Sequence, residues 1–280
     1  SSSNVLVGAG SGGAILAGQT TTDGTVAIGS SALAANTSGG YNTAIGYKSL
    51  EDNQTGAYNT AVGYNSLANT TNNYNTAVGY ASLTSTVGGG GNTAMGHESL
   101  YANATTSNNT GIGYQSGFYT TGADNTYLGY SAGKGAAGAD TNNVGVGSGS
   151  LLAVTTGSYN VAVGSACLDA LTTGGSNVAI GYAALSAAGA GESSNIAIGE
   201  SSMTSADEGS GSGNAINTNI AIGVNSLTGG DFGSTGSRTL VDNIAIGTNA
   251  LNSTGVNSQT GTIAIGKDSL TVLTSGTGCT

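Results

Sequence analysis

The sequence has no proline and no tryptophan, and only 6% of its 280 residues are charged. Ordinary globular chains carry about 25% charged residues, so the polar surface must consist largely of Ser, Thr, Asn and Gly. The two cysteines, Cys167 and Cys279, are too few and too far apart for a disulfide framework or a metal-ligand spacing. No apolar run reaches the roughly 18 residues that a membrane-spanning helix needs.

Positive charge is also scarce. The chain has four cations, Lys48, Lys134, Arg238 and Lys267, against 14 acidic residues, and its formal net charge is −10. Binding to nucleic acid requires Lys and Arg to neutralise phosphates, so no nucleic-acid partner is expected. An anionic membrane surface is disfavoured for the same reason.

Histidine is nearly absent, since His97 is the only one. Imidazole metal sites normally recruit several ligands, and a single histidine cannot supply the usual nucleophile and base arrangements of an enzyme. We therefore expect no catalytic site, no cofactor and no bound metal. His97 itself occupies a repeat position that other units fill with Tyr, Glu200 or Lys267, as a tolerant surface position would.

Glycine, in contrast, is abundant, with 51 residues, and apolar residues recur regularly around some of them. Short segments such as Asn-Thr-Ala-Val-Gly return about every 17 residues, and late in the chain the spacing twice lengthens to 24. Such internal repetition outweighs the expectation of disorder for a chain rich in Gly, Ser, Thr and Asn. The segments end at Gly8, Gly29, Gly46, Gly63, Gly79, Gly96, Gly113, Gly129, Gly147, Gly164, Gly181, Gly199, Gly223, Gly247 and Gly266.

When the units are aligned on this motif glycine, each column holds one kind of side chain. Asn stands four residues before the glycine in every unit except two, which have Thr25 and Thr262. Thr, Val or Ile stands three residues before, usually Ala two before, and Val, Ile, Leu or Met directly before. Ser or Ala usually follows at the third position after the glycine, and Leu at the fourth.

The three residues before the glycine predict a short β-strand. Side chains alternate across a strand, so the positions three and one before the glycine share a face. We expect this bulky face to be packed, and the Ala face to allow close approach of another backbone. The glycine permits a turn that other residues avoid, and the Leu four residues later returns an apolar group to the core.

A unit of about 17 residues is too short for a helical repeat pair, which takes about 33, and the density of Gly, Thr and Asn disfavours helix. The sequence predicts an all-β fold, a β-solenoid (β-roll) of about 15 coils stacked about 4.8 Å apart. It forms one repetitive domain over residues 1–280, in a homotrimer or a filament. The 24-residue units predict protruding loops near 204–217 and 228–241.

At these columns the sequence resembles two families. The unit Asn-Val/Ile-Ala-Ile-Gly-x-x-Ser/Ala, at 177–184, 195–202 and 243–250, is similar to the head repeats of trimeric autotransporter adhesins, left-handed β-rolls that trimerise. The unit Tyr-Asn-Thr-Ala-Val-Gly-Tyr-x-Ser-Leu, at 58–67 and 74–83, resembles repeats of phage tail-fibre-like proteins. The adhesin repeats are shorter than this unit. The resemblance covers nearly the whole chain and implies trimerisation and attachment to a host or surface.

Two sets of residues are candidates for structural or functional roles. Asn side chains can form an amide ladder along the stack, with the motif glycines and the buried Leu beside it. Stacked tyrosines could bind a glycan or a partner, or could stabilise the stack by aromatic packing. The ladder residues are Asn42, Asn59, Asn75, Asn92, Asn109, Asn125, Gly46, Gly63, Gly79, Leu50, Leu67 and Leu83, and the candidate surface-binding residues are Tyr47, Tyr64, Tyr80, Tyr114 and Tyr130.

Three further features have plain structural interpretations. The opening 5–13 contains Gly-x-Gly-x-x-Gly after an apolar run, but no helix pattern follows, so dinucleotide binding is not expected. Cys167 stands in the column of small residues and is predicted to be a packed side chain. Glycosylation sequons, five of which lie between motifs where a surface turn is expected, occur at Asn36, Asn53, Asn69, Asn103, Asn108 and Asn252.

These features predict a non-catalytic structural or adhesive component of an extracellular, cell-surface or virion fibre, either a shaft or an adhesin head. The partner is the chain itself, with a trimer favoured and end-to-end stacking open, and a cell-surface or glycan target is a further candidate. The alternatives are a subunit of a self-polymerising extracellular filament and an ice- or glycan-binding protein that uses Thr or Tyr ladders. Later coils replace Thr by Val or Ile, which suits a packed face better than a water-ordering one; the successive threonines are Thr43, Thr60, Thr76, Thr93, Thr110 and Thr126.

Overall fold

The computed structural model describes residues 3–15, 22–189, 191–204, 215–229, 239–253, 258–271, 273 and 276–277. These residues form strands, turns and bends and include no helix, so the predicted all-β solenoid is confirmed. The repeat is about 17 residues long, and the chain makes about fourteen turns rather than fifteen. It divides into two compact units, residues 1–131 and 132–280.

The first unit stacks eight strands of three residues into a parallel sheet. Each strand pairs in register with the next, so that equivalent columns lie side by side; Thr60 pairs with Thr76 and Ala61 with Ala77. The strands are β1 (Val5–Val7), β2 (Val26–Ile28), β3 (Thr43–Ile45), β4 (Thr60–Val62), β5 (Thr76–Val78), β6 (Thr93–Met95), β7 (Thr110–Ile112) and β8 (Thr126–Leu128).

The second unit contains seven strands of the same kind and a second parallel sheet of four strands. The motif strands are β9 (Val144–Val146), β10 (Val161–Val163), β11 (Val178–Ile180), β12 (Ile196–Ile198), β14 (Ile220–Ile222), β16 (Ile244–Ile246) and β18 (Ile263–Ile265). The second sheet consists of β13 (Ala215–Asn217), β15 (Thr239–Val241), β17 (Gln259–Thr260) and β19 (Gly276–Thr277).

Every predicted motif strand is present and ends directly before its glycine, as the column alignment predicted. The fifteen motif glycines have φ between 119° and 145°, a conformation that L side chains rarely adopt. A Cβ atom on Gly79 would also overlap the carbonyl oxygen of Gly96 on the following turn. The column therefore requires glycine both for its backbone conformation and for the close approach of successive turns.

The predicted orientation of the strand faces is wrong. The Ala column points inward, and Ala61 and Ala162 are fully buried. The bulky residues on either side of it point outward, and Ile45 and Val163 are each 37% exposed. The interior is already filled by the Leu that most turns carry, which lies in the same buried cluster as the Ala residues, so the strand can contribute only a small side chain to it.

The Leu column has a left-handed backbone. Leu50 and Leu67 have φ of 51° and 49°, and both side chains are fully buried. A left-handed conformation costs an L residue about 1 to 2 kcal/mol, whereas burying a Leu side chain contributes about 1.5 to 3 kcal/mol. Burial of the side chain therefore offsets the backbone cost at each turn that carries a Leu.

The two 24-residue units do more than form loops. Of the predicted loops 204–217 and 228–241, residues 205–214 and 230–238 lie outside the described residues. The last three residues of each segment form strands β13 and β15, which pair in parallel. Ile216 and Leu240 are fully buried on these strands, in the column where shorter units carry Gly39 or Gly56. The longer units thus bring additional apolar residues into the interior.

Candidate surface site

The predicted Asn ladder runs through the interior, and its members are fully buried. The Oδ1 atom of each Asn accepts the backbone N–H of the Asn on the next turn, at 2.9–3.0 Å in the first unit. The Nδ2 atom donates to a backbone carbonyl of the next turn, as from Asn42 to Gly56 at 2.7 Å. The amides are thus used by the fold and do not form a surface-binding site. The same pattern continues through the second unit.

The ladder has a defect at each of its two threonines. The N–H of Thr25 donates to Oδ1 of Asn4 at 3.0 Å, and that of Thr262 donates to Oδ1 of Asn243 at 3.0 Å. The hydroxyl oxygens of both threonines are buried and have no hydrogen-bond partner among the described residues. A Thr side chain is too short to reproduce both bonds of the Asn amide.

The predicted tyrosine positions form one row of stacked rings on the surface of the first unit. Neighbouring ring centroids are 4.9–5.3 Å apart, and the ring planes are within 23° of parallel. His97 continues the row between Tyr80 and Tyr114, as its column predicted. We call this the first tyrosine row, and it consists of Tyr47, Tyr64, Tyr80, His97, Tyr114 and Tyr130.

A second tyrosine row, consisting of Tyr41, Tyr58 and Tyr74, was missed by the sequence analysis. Its ring centroids are 5.1 and 5.4 Å apart, with planes within 9° of parallel. The three residues have φ of 57–63°, which turns the side chains outward and leaves them 51–65% exposed. The signal in the sequence was a Tyr five residues before the glycine in three successive units.

The stacking limits how these rows can bind a ligand. Both faces of an inner ring such as Tyr64 are covered by its neighbours, so only ring edges and hydroxyl groups are available. A sugar ring that packs on an aromatic face would find a free face only at the ends of a row. At the Tyr47 end of the first tyrosine row, the Lys48 ammonium lies 5.7 Å from the ring centroid of Tyr47. The same ammonium lies 3.1 Å from the Glu51 carboxylate, and its hydrogen bond to that carboxylate raises the pKa of Lys48.

In each unit, the residues three and one before the motif glycines form a half-exposed surface, which we call the outer strand face. In six of the eight strands of the first unit it combines a Thr with an aliphatic residue, and β1 and β2 have Val5 and Val26 in place of Thr. In the second unit both columns consist only of Val and Ile. The members there are Val144, Val146, Val161, Val163, Val178, Ile180, Ile196, Ile198, Ile220, Ile222, Ile244, Ile246, Ile263 and Ile265. No strand of either unit has a charged residue in these columns.

Three of the sequon asparagines are not on the surface, contrary to the prediction. Asn36, Asn53 and Asn103 are fully buried, and the Nδ2 atoms of Asn36 and Asn53 each donate to a backbone carbonyl at 2.9 Å. They are buried because their amides close the turn between motifs. Asn108, in contrast, is exposed and donates to the carboxylate of Asp124 at 3.0 Å.

Cys167 is fully buried, as its column predicted, and its Sγ atom donates to the carbonyl oxygen of Ala179 at 3.2 Å. Burial raises the pKa of this thiol to about 12. Burial also raises the pKa of the nearby Asp169 carboxyl. A thiol held in its protonated form is a poor nucleophile, so Cys167 has the chemistry of a packing residue.

The described residues contain no cluster of three or more His, Cys, Asp or Glu side chains that could hold a metal ion. The Gly-x-Gly-x-x-Gly segment follows strand β1 and continues into turns, not into a helix. Among the residues that the structure describes, no helix could cross a membrane. No protein-family model matches the chain, and no curated protein matches it.

Proposed function

We propose that this chain is a structural component of an extracellular or virion fibre and associates laterally with copies of itself through the outer strand face. The observation that carries the proposal is the apolar character of this face in the second unit. Soluble monomers rarely expose contiguous apolar patches larger than a few hundred Å². A face built only of Val and Ile over seven strands is therefore best explained as a contact surface.

The geometry of the face suits a flat, repetitive contact. Seven strands at about 4.8 Å spacing make it roughly 34 Å long. Its β-branched side chains have few rotamers, so little side-chain entropy is lost when they are covered. Val163 and Ile180 are still 37% and 39% exposed, so each strand has apolar area left to bury, at about 25 cal/mol per Å².

The distribution of charge also favours other copies of this chain as the partner. The chain has a net charge of −10, which would oppose association if carboxylates met across the contact. The outward columns carry no charge, so copies can meet there without placing like charges opposite each other. The resemblance to trimeric adhesin heads favours three copies around one axis, and a shaft or head role in attachment follows from that resemblance.

Sedimentation of the full chain at micromolar concentration tests the proposal. We expect a trimer, and a Val161→Lys/Val178→Lys variant should sediment as a monomer because it places charges in the contact. A Ser165→Lys/Tyr182→Lys variant is the matched control, since these exposed residues lie on the same two turns outside the two columns. A dispersed wild-type monomer would contradict the lateral proposal, and long filaments would favour the self-polymerising alternative.

A second candidate function is ordering of water at an ice or similar surface. The exchange of Thr for Val between turns favoured a packed Thr column, whereas the structure places Thr43 to Thr126 in register on the outer strand face of the first unit. Assays of ice recrystallisation test this candidate. Inhibition by the wild type that is lost in a Thr76→Lys/Thr93→Lys variant would support it, and absence of inhibition would remove it.

A further inference from the structure

The two tyrosine rows place pairs of phenol rings side by side at a fixed distance. Five pairs of neighbouring tyrosines have ring centroids 5.1–5.4 Å apart. The partners lie 16 or 17 residues apart in the chain and occupy equivalent positions on successive turns. The stacked pairs are Tyr41–Tyr58, Tyr58–Tyr74, Tyr47–Tyr64, Tyr64–Tyr80 and Tyr114–Tyr130.

Exposed phenols such as these are the most accessible one-electron donors among the described side chains. The chain has no tryptophan. Cys167 is buried with its pKa raised to about 12, and Met203 is fully buried. Met95 is 45% exposed, but its oxidation ends in a sulfoxide and forms no cross-link. Every tyrosine in the five pairs is 43% exposed or more, so an oxidant can reach both partners.

We propose that the two tyrosine rows are sites of dityrosine cross-linking, in which a peroxidase-type one-electron oxidant joins successive turns covalently. Each phenol loses one electron and one proton, and the two tyrosyl radicals combine through a carbon ortho to each hydroxyl. Each coupling carbon then loses its ring hydrogen as a proton, and each ring oxygen takes up a proton, which restores the two phenol groups. The net reaction removes two hydrogen atoms from the pair, and these reduce one hydrogen peroxide to two molecules of water.

The fold favours coupling within the rows. Holding two reactants together replaces a slow encounter with a local reaction, and the β-stack keeps the partners adjacent on successive turns. The side chains are exposed, so the rings can turn edge to edge when they couple. Each tyrosine couples once, so each of the Tyr41–Tyr58–Tyr74 and Tyr47–Tyr64–Tyr80 groups yields one cross-link, and Tyr114 with Tyr130 yields a third. This chemistry does not depend on the fibre function.

The test treats the purified full chain with horseradish-type peroxidase and hydrogen peroxide, and measures dityrosine fluorescence and cross-linked peptides by mass spectrometry. We expect cross-links between residues 16 or 17 apart. Mixing ¹⁴N- and ¹⁵N-labelled chains before oxidation distinguishes links within one chain from links between chains. A Tyr58→Phe/Tyr64→Phe variant keeps the rings but breaks four of the five pairs, so its dityrosine yield should fall to about one third.

A Tyr159→Phe/Tyr182→Phe variant is the control. Both residues are more than 60% exposed but lie in no ring stack within the described part of the chain. This variant should keep the full yield of dityrosine. The proposal is overturned if no dityrosine forms, if the Tyr58→Phe/Tyr64→Phe variant retains the wild-type yield, or if the mapped links join Tyr159 or Tyr182 or different chains instead of neighbours in the rows.

Discussion

The ring of Tyr127 packs against Gly117, the residue that replaces Leu on its turn. A Cβ atom on Gly117 would lie 3.1 Å from Cδ2 of Tyr127 and 2.7 Å from Cδ2 of Leu100. Tyr127 occupies a position that most other turns fill with Ala, and it is nevertheless fully buried. The large ring thus fills the interior space that a missing Leu side chain leaves, and the two substitutions compensate each other.

Removing the Tyr127 ring should therefore leave a cavity. We expect Tyr127→Ala to lower the free energy of unfolding by about 3 to 5 kcal/mol. Adding Gly117→Leu to that variant should recover about 1.5 to 3 kcal/mol, because Leu fits the left-handed backbone at this column on other turns. Gly117→Leu alone should destabilise by overpacking. Urea unfolding followed by circular dichroism measures all three, and lack of recovery in the double variant would contradict the compensation.

Repairing the defect in the Asn ladder should stabilise the first unit. In a Thr25→Asn variant, Oδ1 can accept the N–H of Asn42 and Nδ2 can donate to the carbonyl of Gly39, as the following Asn residues do. We expect a gain of about 1 kcal/mol. The reverse change, Asn75→Ala, leaves the buried N–H of Asn92 without its acceptor and should cost about 1 to 3 kcal/mol. A Thr25→Asn variant no more stable than wild type would show that the unpaired hydroxyl carries no cost.

The motif glycines should not tolerate any side chain. We expect Gly79→Ala to disrupt its turn, because the added Cβ overlaps the carbonyl oxygen of Gly96, and to cost more than the roughly 1 to 3 kcal/mol of the backbone conformation alone. Gly149→Ala is the matched control, since its φ is 65° and a Cβ there meets nothing within 4 Å. Thermal unfolding compares the two, and equal losses of stability would refute the steric argument.

Cys167 should make the stability of the folded chain depend on pH in the alkaline range. Its pKa is raised from 9.0 to about 12 by burial, so above pH 9 the unfolded chain releases a proton that the folded chain retains. The stability that the neutral thiol contributes is present below pH 9 and is lost as the pH rises towards 12. A Cys167→Ala variant, which has the side chain that four other turns use in this column, should lack this part of the decline in stability. Identical pH profiles for the two proteins would contradict it.

The strands were predictable because each column recurs fifteen times, but the side that faces the interior was not. Alternation shows that Thr60 and Val62 share a face and does not show which face is inside. The interior volume decides that, and it depends on the Leu side chains that approach from elsewhere in the turn. The column changes from Thr126 on one turn to Val144 on the next, and such a change suits a half-exposed face as well as a packed one.

Other features of the structure were not predicted from the sequence, for related physical reasons. The strands β13 and β15 were missed because Ala215–Asn217 and Thr239–Val241 occur in only two long units, so no column pattern marks them. The burial of Asn36 and Asn53 was missed because a sequon motif carries no information about where its amide donates. The second tyrosine row was visible in the spacing of Tyr41, Tyr58 and Tyr74, but its left-handed backbone is known only from the folded chain.

The Asn ladder also gives the solenoid a direction of growth. The Asn side chains bond to the turn that follows them in the chain: Oδ1 of Asn59 accepts from Asn75, and Nδ2 of Asn59 donates to the carbonyl of Asn72. In later turns Nδ2 also donates to Oδ1 of the preceding Asn, as from Asn219 to Asn195. Ribosomal synthesis proceeds from the N-terminus, so each new turn meets an acceptor and a donor already positioned by the turn before it. Folding can then keep pace with translation, and no late segment has to insert between turns that have already stacked.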